Sequence, residues 1–210
     1  MSESQKILVV EQNSTNKIKI KGSQFIGFSF RISNSEDSEK HLGDLKKKFY
    51  DASHHCYAYK TKSGEEKYSD DGEPNGTAGI RILNAISHFS ITDILIVIVR
   101  YFGGTKLGVG PLGKAYGETA LNLLENSKLL ELTKFEQFKI VYPYEETSTI
   151  HYLLNKYDCQ KIENHFETKP MIKCLIESYL VEKISNELID KTAGNVQLEP
   201  LNKVFYLRLK

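Results

Sequence analysis

Ile94-Leu95-Ile96-Val97-Ile98-Val99-Arg100-Tyr101 is the stretch whose pattern decides the fold. Six consecutive aliphatic residues leave no polar face, so the spacing predicts a strand buried on both sides. A glycine loop over residues 103–110 follows it. Pro111 then suits the first turn of a helix through Asn126, with Leu112, Ala115, Thr119 and Leu123 inward.

Upstream, Ile18 and Ile20 alternate with Lys17, Lys19 and Lys21, and beyond Gly22 the positions Ile26, Phe28, Phe30 and Ile32 keep the two-residue period of a strand. Asn34 or Ser35 caps a helix with Glu36, Asp37 and Glu39 in its first turns and Leu42, Leu45 and Phe49 inside. Residues 55–61 and Glu66–Ser69 pattern as a hairpin about Ser63-Gly64. A polar loop at 70–76 leads into a short helix carrying Ile82, Leu83 and Ile86. Together these elements predict a mixed sheet with helices on one side across residues 1–132.

Only one glycine, Gly194, lies beyond residue 132, and the chain divides there. Residues 133–210 read as β-α-β-β-α-β. Phe138, Ile140 and Tyr142 mark a strand, 145–157 a helix, and 161–168 and 171–178 two strands about Lys169-Pro170. A helix over 181–192 stops before Gly194, and 204–209 is the last strand. The fold class is α+β in two domains. Each has its own apolar periodicity, so their relative orientation is expected to be the softest feature.

With 210 residues, 40% hydrophobic and 26% charged, the chain has the composition of a folded protein with room for two small domains. Its longest apolar run, 94–99, is far short of the ~20 residues of a membrane helix, so no membrane partner is expected. Residues 1–5 are polar and 7–10 make too short an apolar core for a signal peptide, which predicts a cytoplasmic protein. A net charge of +1 excludes a polycation built for bulk nucleic-acid binding. The charge is nonetheless uneven. Lys17, Lys19, Lys21 and Arg31 meet no acid between Glu11 and Glu36, and Arg81, Arg100, Lys106 and Lys114 are offset only by Asp93 between Glu73 and Glu118.

Cys56, Cys159 and Cys174 form no CxxC pair, so neither a zinc site nor a disulfide framework is expected, and Cys159 and Cys174 read as buried hydrophobes. His54 and Cys56 share a strand face, which leaves a thiol nucleophile open at Cys56. The 108–113 string matches GxGxxG, but no alternating βαβ pattern follows, so no dinucleotide cofactor is expected. No cofactor of another kind is indicated. Asp70, Asp71 and Glu73 are either loop-bracing acids or, with His54 and His55, a functional acid set. Their Gly/Pro setting favours capping. Free N–H groups at a helix start near Lys106 and Lys114 suit an anion, with Arg100, Gly103, Gly104, Gly108 and Gly110 completing the candidate site.

The segments Asp51-Ala52-Ser53-His54-His55-Cys56-Tyr57-Ala58, Ser69-Asp70-Asp71-Gly72-Glu73-Pro74-Asn75-Gly76-Thr77-Ala78-Gly79 and Val99-Arg100-Tyr101-Phe102-Gly103-Gly104-Thr105-Lys106-Leu107-Gly108 resemble the signature of the IMPACT/YigZ family. Ser23-Gln24-Phe25-Ile26 is similar to its opening segment and Lys114-Ala115-Tyr116 to its closing one. The resemblance covers about residues 15–130, and 135–210 is similar to the smaller domain that bacterial members append. Pro111, Gly113 and Lys114 depart from the residues usual in the family; Lys114 replaces an arginine and gives up bidentate phosphate recognition.

The resemblance implies a first domain like the βα fold of ribosomal-protein, elongation-factor and small-molecule-kinase domains, and a ferredoxin-like second domain. It implies a translation-associated, non-catalytic role, with RNA or a ribosome-associated protein as partner. Tyr57, Tyr59 and Tyr101 are the aromatic candidates for that surface. An enzyme of phosphorylated small molecules is the alternative. A peptidase is a third, but the spacing of His54, His55, Asp70, Asp71 and Glu73 matches no standard ligand motif, so no metal is expected.

Overall fold

The computed structural model describes residues 4–166 and 169–209. The chain runs β1 (Lys6–Val10), β2 (Ser14–Ile20), β3 (Ser23–Arg31), α1 (Ser35–Lys48), β4 (His54–Lys60), β5 (Glu66–Ser69), α2 (Gly79–His88) and β6 (Ile94–Tyr101). It continues through α3 (Val109–Glu125), β7 (Leu129–Val141), α4 (Thr147–Lys156), β8 (Gln160–Phe166), β9 (Pro170–Glu177), α5 (Val181–Lys191) and β10 (Gln197–Leu207). Two compact units result: Ile7–Glu131, and the residues up to Lys6 together with those from Leu132 onward.

In the first unit β6 is the middle strand of a sheet ordered β2-β3-β6-β4-β5. Ile94, Ile96 and Ile98 pack with Ile82 and Ile86 of α2 and Ala115, Ala120 and Leu123 of α3. Leu95, Val97 and Val99 point the other way and pack with Leu45, Leu42 and Phe49 from α1 and its end. Helices therefore cover both faces, not one. A strand with no polar face must be covered twice, since each such side chain left exposed forfeits about 1.5–3 kcal/mol. The pairings of β2, β3, β4, β5 and β6 are all antiparallel, so the expected mixed sheet is corrected as well. Asn34 caps α1 by accepting the Asp37 N–H, with Glu36 and Asp37 in the first turn.

The second unit has the element order β7-α4-β8-β9-α5-β10, with strands arranged β10-β7-β9-β8. Its core joins Phe138, Ile140 and Tyr142 to Ile150, Leu153 and Leu154 of α4 and Ile184 and Leu188 of α5. Cys159 and Cys174 are buried and free there. The strand expected over 161–168 is β8, and its last two residues lie outside the described residues. β10 begins at Gln197, seven residues before the expected strand. Pro200 and a register shift between Pro200 and Val204 hide its first half, tolerated because β10 pairs only with β7. The division expected after residue 132 falls inside β7, which runs unbroken through it.

Ile98 is fully buried between β6 and the helices. Ile98→Ala is expected to lower stability by about 2–5 kcal/mol, read as a fall in the urea midpoint at unchanged slope.

Candidate functional site

The site grows from the end of β6. Alternation along that strand aims Arg100 at the α3 side, and its side chain is 6% exposed. Arg100 Nη1 donates to Glu73 Oε1 at 2.5 Å, and the Tyr116 hydroxyl of α3 donates to the same oxygen at 2.7 Å. Arg100 Nη2 lies 3.4 Å from Ser23 Oγ, and its guanidinium sits 5.4 Å from the Phe25 ring and 5.6 Å from the Phe102 ring. Arg100 Nε is buried without an acceptor among the described residues.

The three acids of the 70–79 loop have three different tasks. Asp70 accepts N–H bonds from Gly76, Ala78 and Gly79 at 2.8–2.9 Å and so holds the start of α2. Burial alone would raise its carboxyl, but the N–H bonds outweigh that and hold it below the usual aspartate range. Asp71 sits at φ +44° and accepts the His55 N–H at 2.6 Å, with Lys46 Nζ 3.3 Å away. Glu73 alone turns inward.

His54 and Cys56 share a face of β4 but do not pair. His54 Nδ1 lies 2.8 Å from the Asp71 carbonyl, and its Nε2 lies 3.7 Å from Glu73 Oε2. The Cys56 thiol is 3.0 Å from the Asp70 carbonyl and 3.3 Å from the Tyr116 hydroxyl. Burial pushes this thiol far above its ordinary range, against the opposing pull of the Tyr116 hydrogen bond, and keeps it protonated. Cys56 is fully buried, which counts against the thiol nucleophile left open by the sequence. His55 faces the α1 side, where burial lowers its imidazole and Asp71 pulls the other way.

A cavity of about 410 Å³ opens over this network, lined by His54, Glu73, Pro74, Arg100, Phe102, Lys106, Leu107, Gly108, Val109 and Leu112. The candidate basic residues part company around it. Arg100 is neutralised by Glu73 in its wall. Lys106 lines it and has no carboxylate within ion-pairing distance among the described residues. Lys114 lies instead beside Gly110 in a separate groove of about 530 Å³ between α2 and α3, 3.6 Å from Glu118. Gly108, at φ +84°, is the N-cap of α3, which has no side-chain cap. Gly103 allows a close backbone approach: a Cβ there would stand 2.0 Å from the Gly22 carbonyl carbon. That contact sets Lys21, at the β2–β3 turn, beside the 103–110 loop. Gly104 faces open space at φ +83°.

Tyr59 is buried and bonds Glu65, while Tyr57 and Tyr101 pack partly buried on the α1 side, Tyr101 donating to Asp51. The exposed aromatic at the cavity is Phe102, 48% accessible, which the sequence argument passed over. Its signal was two-residue spacing from Arg100. Tyr116 was read only as part of a signature segment, because nothing local marks its hydroxyl as a partner of Glu73.

Asp70→Asn is expected to cost about 1–3 kcal/mol at pH 7, because one neutral oxygen replaces a carboxylate that accepts three N–H bonds. Asp70's folded value lies below its unfolded one, so its contribution is present above about pH 4 and lost as pH falls through the folded value. Urea titrations at pH 7 and pH 3 should show the gap between variant and parent narrowing at the lower pH.

Residues 21–124 match the family model described as the Impact N-terminal domain. An IMPACT family member of Haemophilus influenzae is 33% identical over 190 residues, 87% of this chain and 91% of that protein. The IMPACT family member YvyE of Bacillus subtilis is 31% identical over 182 residues, 84% of this chain and 81% of that one. A solved structure described as a hypothetical protein superposes with a TM-score of 0.66 at 27% identity, covering 94% of this chain and 98% of its own. The chain belongs to the IMPACT family.

Proposed function

We propose that this chain is a non-catalytic, translation-associated protein that binds RNA, with phosphates held along the 103–110 loop of its first unit. The observation that carries the proposal is the meeting of two basic stretches at one backbone contact. Gly22 against Gly103 sets Lys21 beside the loop that bears Lys106, and neither lysine has a carboxylate partner among the described residues. A third feature of the same loop supports it. α3 begins at Gly108 with no side-chain cap, so its first N–H groups and positive dipole end stay available to an anion. Arg100 contributes little attraction, because Glu73 neutralises it. A ribosome-associated protein partner remains the outcome to which failure of RNA binding would point.

Anisotropy of a labelled single-stranded RNA, followed from 50 to 200 mM salt, tests the proposal. Binding is expected to weaken steeply with salt, since each phosphate contact releases counterions. Lys106→Ala and Lys21→Ala are each expected to weaken binding and to reduce the slope of log K against log salt by about 0.7. No binding at 50 mM salt, or slopes unchanged in both variants, would overturn it.

A further inference from the structure

We infer that the cavity beneath the 103–110 loop is a pocket for one unstacked guanine base of a single-stranded RNA, an inference that rests on the RNA proposal above. Two hydrogen-bond acceptors with nothing between them define it. The Asp71 carbonyl can only accept, so the His54 nitrogen 2.8 Å from it, Nδ1, carries the proton. In the neutral ring Nε2 then presents a lone pair. Glu73 Oε1 is filled twice, by Arg100 and Tyr116, whereas no donor among the described residues reaches Oε2. On a neutral His54 ring, Glu73 Oε2 and His54 Nε2 are two acceptors 3.7 Å apart in the wall of the same cavity.

A ligand that fits such a wall must bring two neighbouring donors. Guanine does so on its Watson–Crick edge, where N1–H and the N2 amine are adjacent. Uracil offers one N–H between two carbonyls. Adenine and cytosine each set one amine beside a ring acceptor, which would face a lone pair here. A cationic ligand would also donate, but Lys106 lines the same space and disfavours it, while the Arg100–Glu73 pair cancels. The remaining walls suit a flat ring. Pro74, Leu107, Val109 and Leu112 are apolar, and Phe102 stands half exposed at the cavity. A base splayed from a single strand is held in this way, by stacking on an aromatic and by hydrogen bonds to its edge. The volume of about 410 Å³ falls in the range of small-ligand pockets, ~300–1,000 Å³.

The test uses the full chain and labelled RNA heptamers of uridine whose central nucleotide is guanosine, inosine, N1-methylguanosine, adenosine, cytidine or uridine. The guanosine heptamer is expected to bind about tenfold more tightly than those of adenosine, cytidine and uridine. Inosine, which lacks the N2 amine, should fall between, and N1-methylguanosine should lose the preference. His54→Leu is expected to bring guanosine down to the uridine level while leaving uridine binding unchanged. Phe102→Ala, at an exposed position, is expected to cost about tenfold in guanosine binding. Lys106→Ala should weaken every heptamer alike and preserve the ratio. Heptamers that bind within twofold of one another overturn the pocket and leave the RNA proposal standing. So does a guanine preference that survives both His54→Leu and Phe102→Ala. Absence of binding by any heptamer at 50 mM salt overturns both.

Discussion

The ion pair between Arg100 and Glu73 is the constraint on which the rest of the first unit's functional face depends. Both side chains are almost wholly removed from water, 6% and 4% exposed, and burying two charges costs more than their attraction returns unless their remaining groups are hydrogen-bonded. Tyr116 and Ser23 supply those bonds, from α3 and from the start of β3. Three elements and the 70–79 loop are thereby tied to one carboxylate. Were either charge removed, the other would be left buried and unpaired, a loss of about 3–5 kcal/mol.

The pair also sorts the charges. A sequence shows Arg100, Lys106 and Lys114 as three like bases near a glycine loop. In the fold they are three different things: a structural cation cancelled inside the wall, a lysine lining the cavity, and a surface lysine beside Glu118 in another groove. On the proposed reading, the attraction for an anion comes from Lys106, from Lys21 beside the Gly22–Gly103 contact, and from the start of α3. Such surface charges act over about a Debye length, ~8–10 Å.

What could be read in the sequence was what is local. β6, the cap at Asn34, the hairpin of β4 and β5, and the inward residues of α3 each follow from spacing within one element. The capping role of Asp70 was legible for the same reason, since its three donors lie six to nine residues away in the same loop. Glu73 was not separable from Asp70 and Asp71, because its partners stand 27 and 43 residues further along the chain. The second cover on the sheet is legible in the sequence as well. Ile94–Val99 has no polar side, and that alone demands α1 opposite α2 and α3.

The same network decides what kind of work the cavity is suited to. Cys56 is the group that would have to act as a nucleophile, and its burial holds the thiol protonated. Glu73 is held at Oε1 by two donors and His54 at Nδ1 by a backbone carbonyl, so neither side chain is free to turn. The fixing leaves Oε2 and Nε2 3.7 Å apart. A rigid pair of acceptors discriminates by penalty: a ligand that closes the cavity without donors strands polar atoms at about 1–3 kcal/mol each. Every 1.4 kcal/mol is tenfold in affinity, so selectivity here comes from what the wall rejects as much as from what it binds. On the proposed reading, the bonds that fix Arg100 and Glu73 are also what makes the wall they build selective.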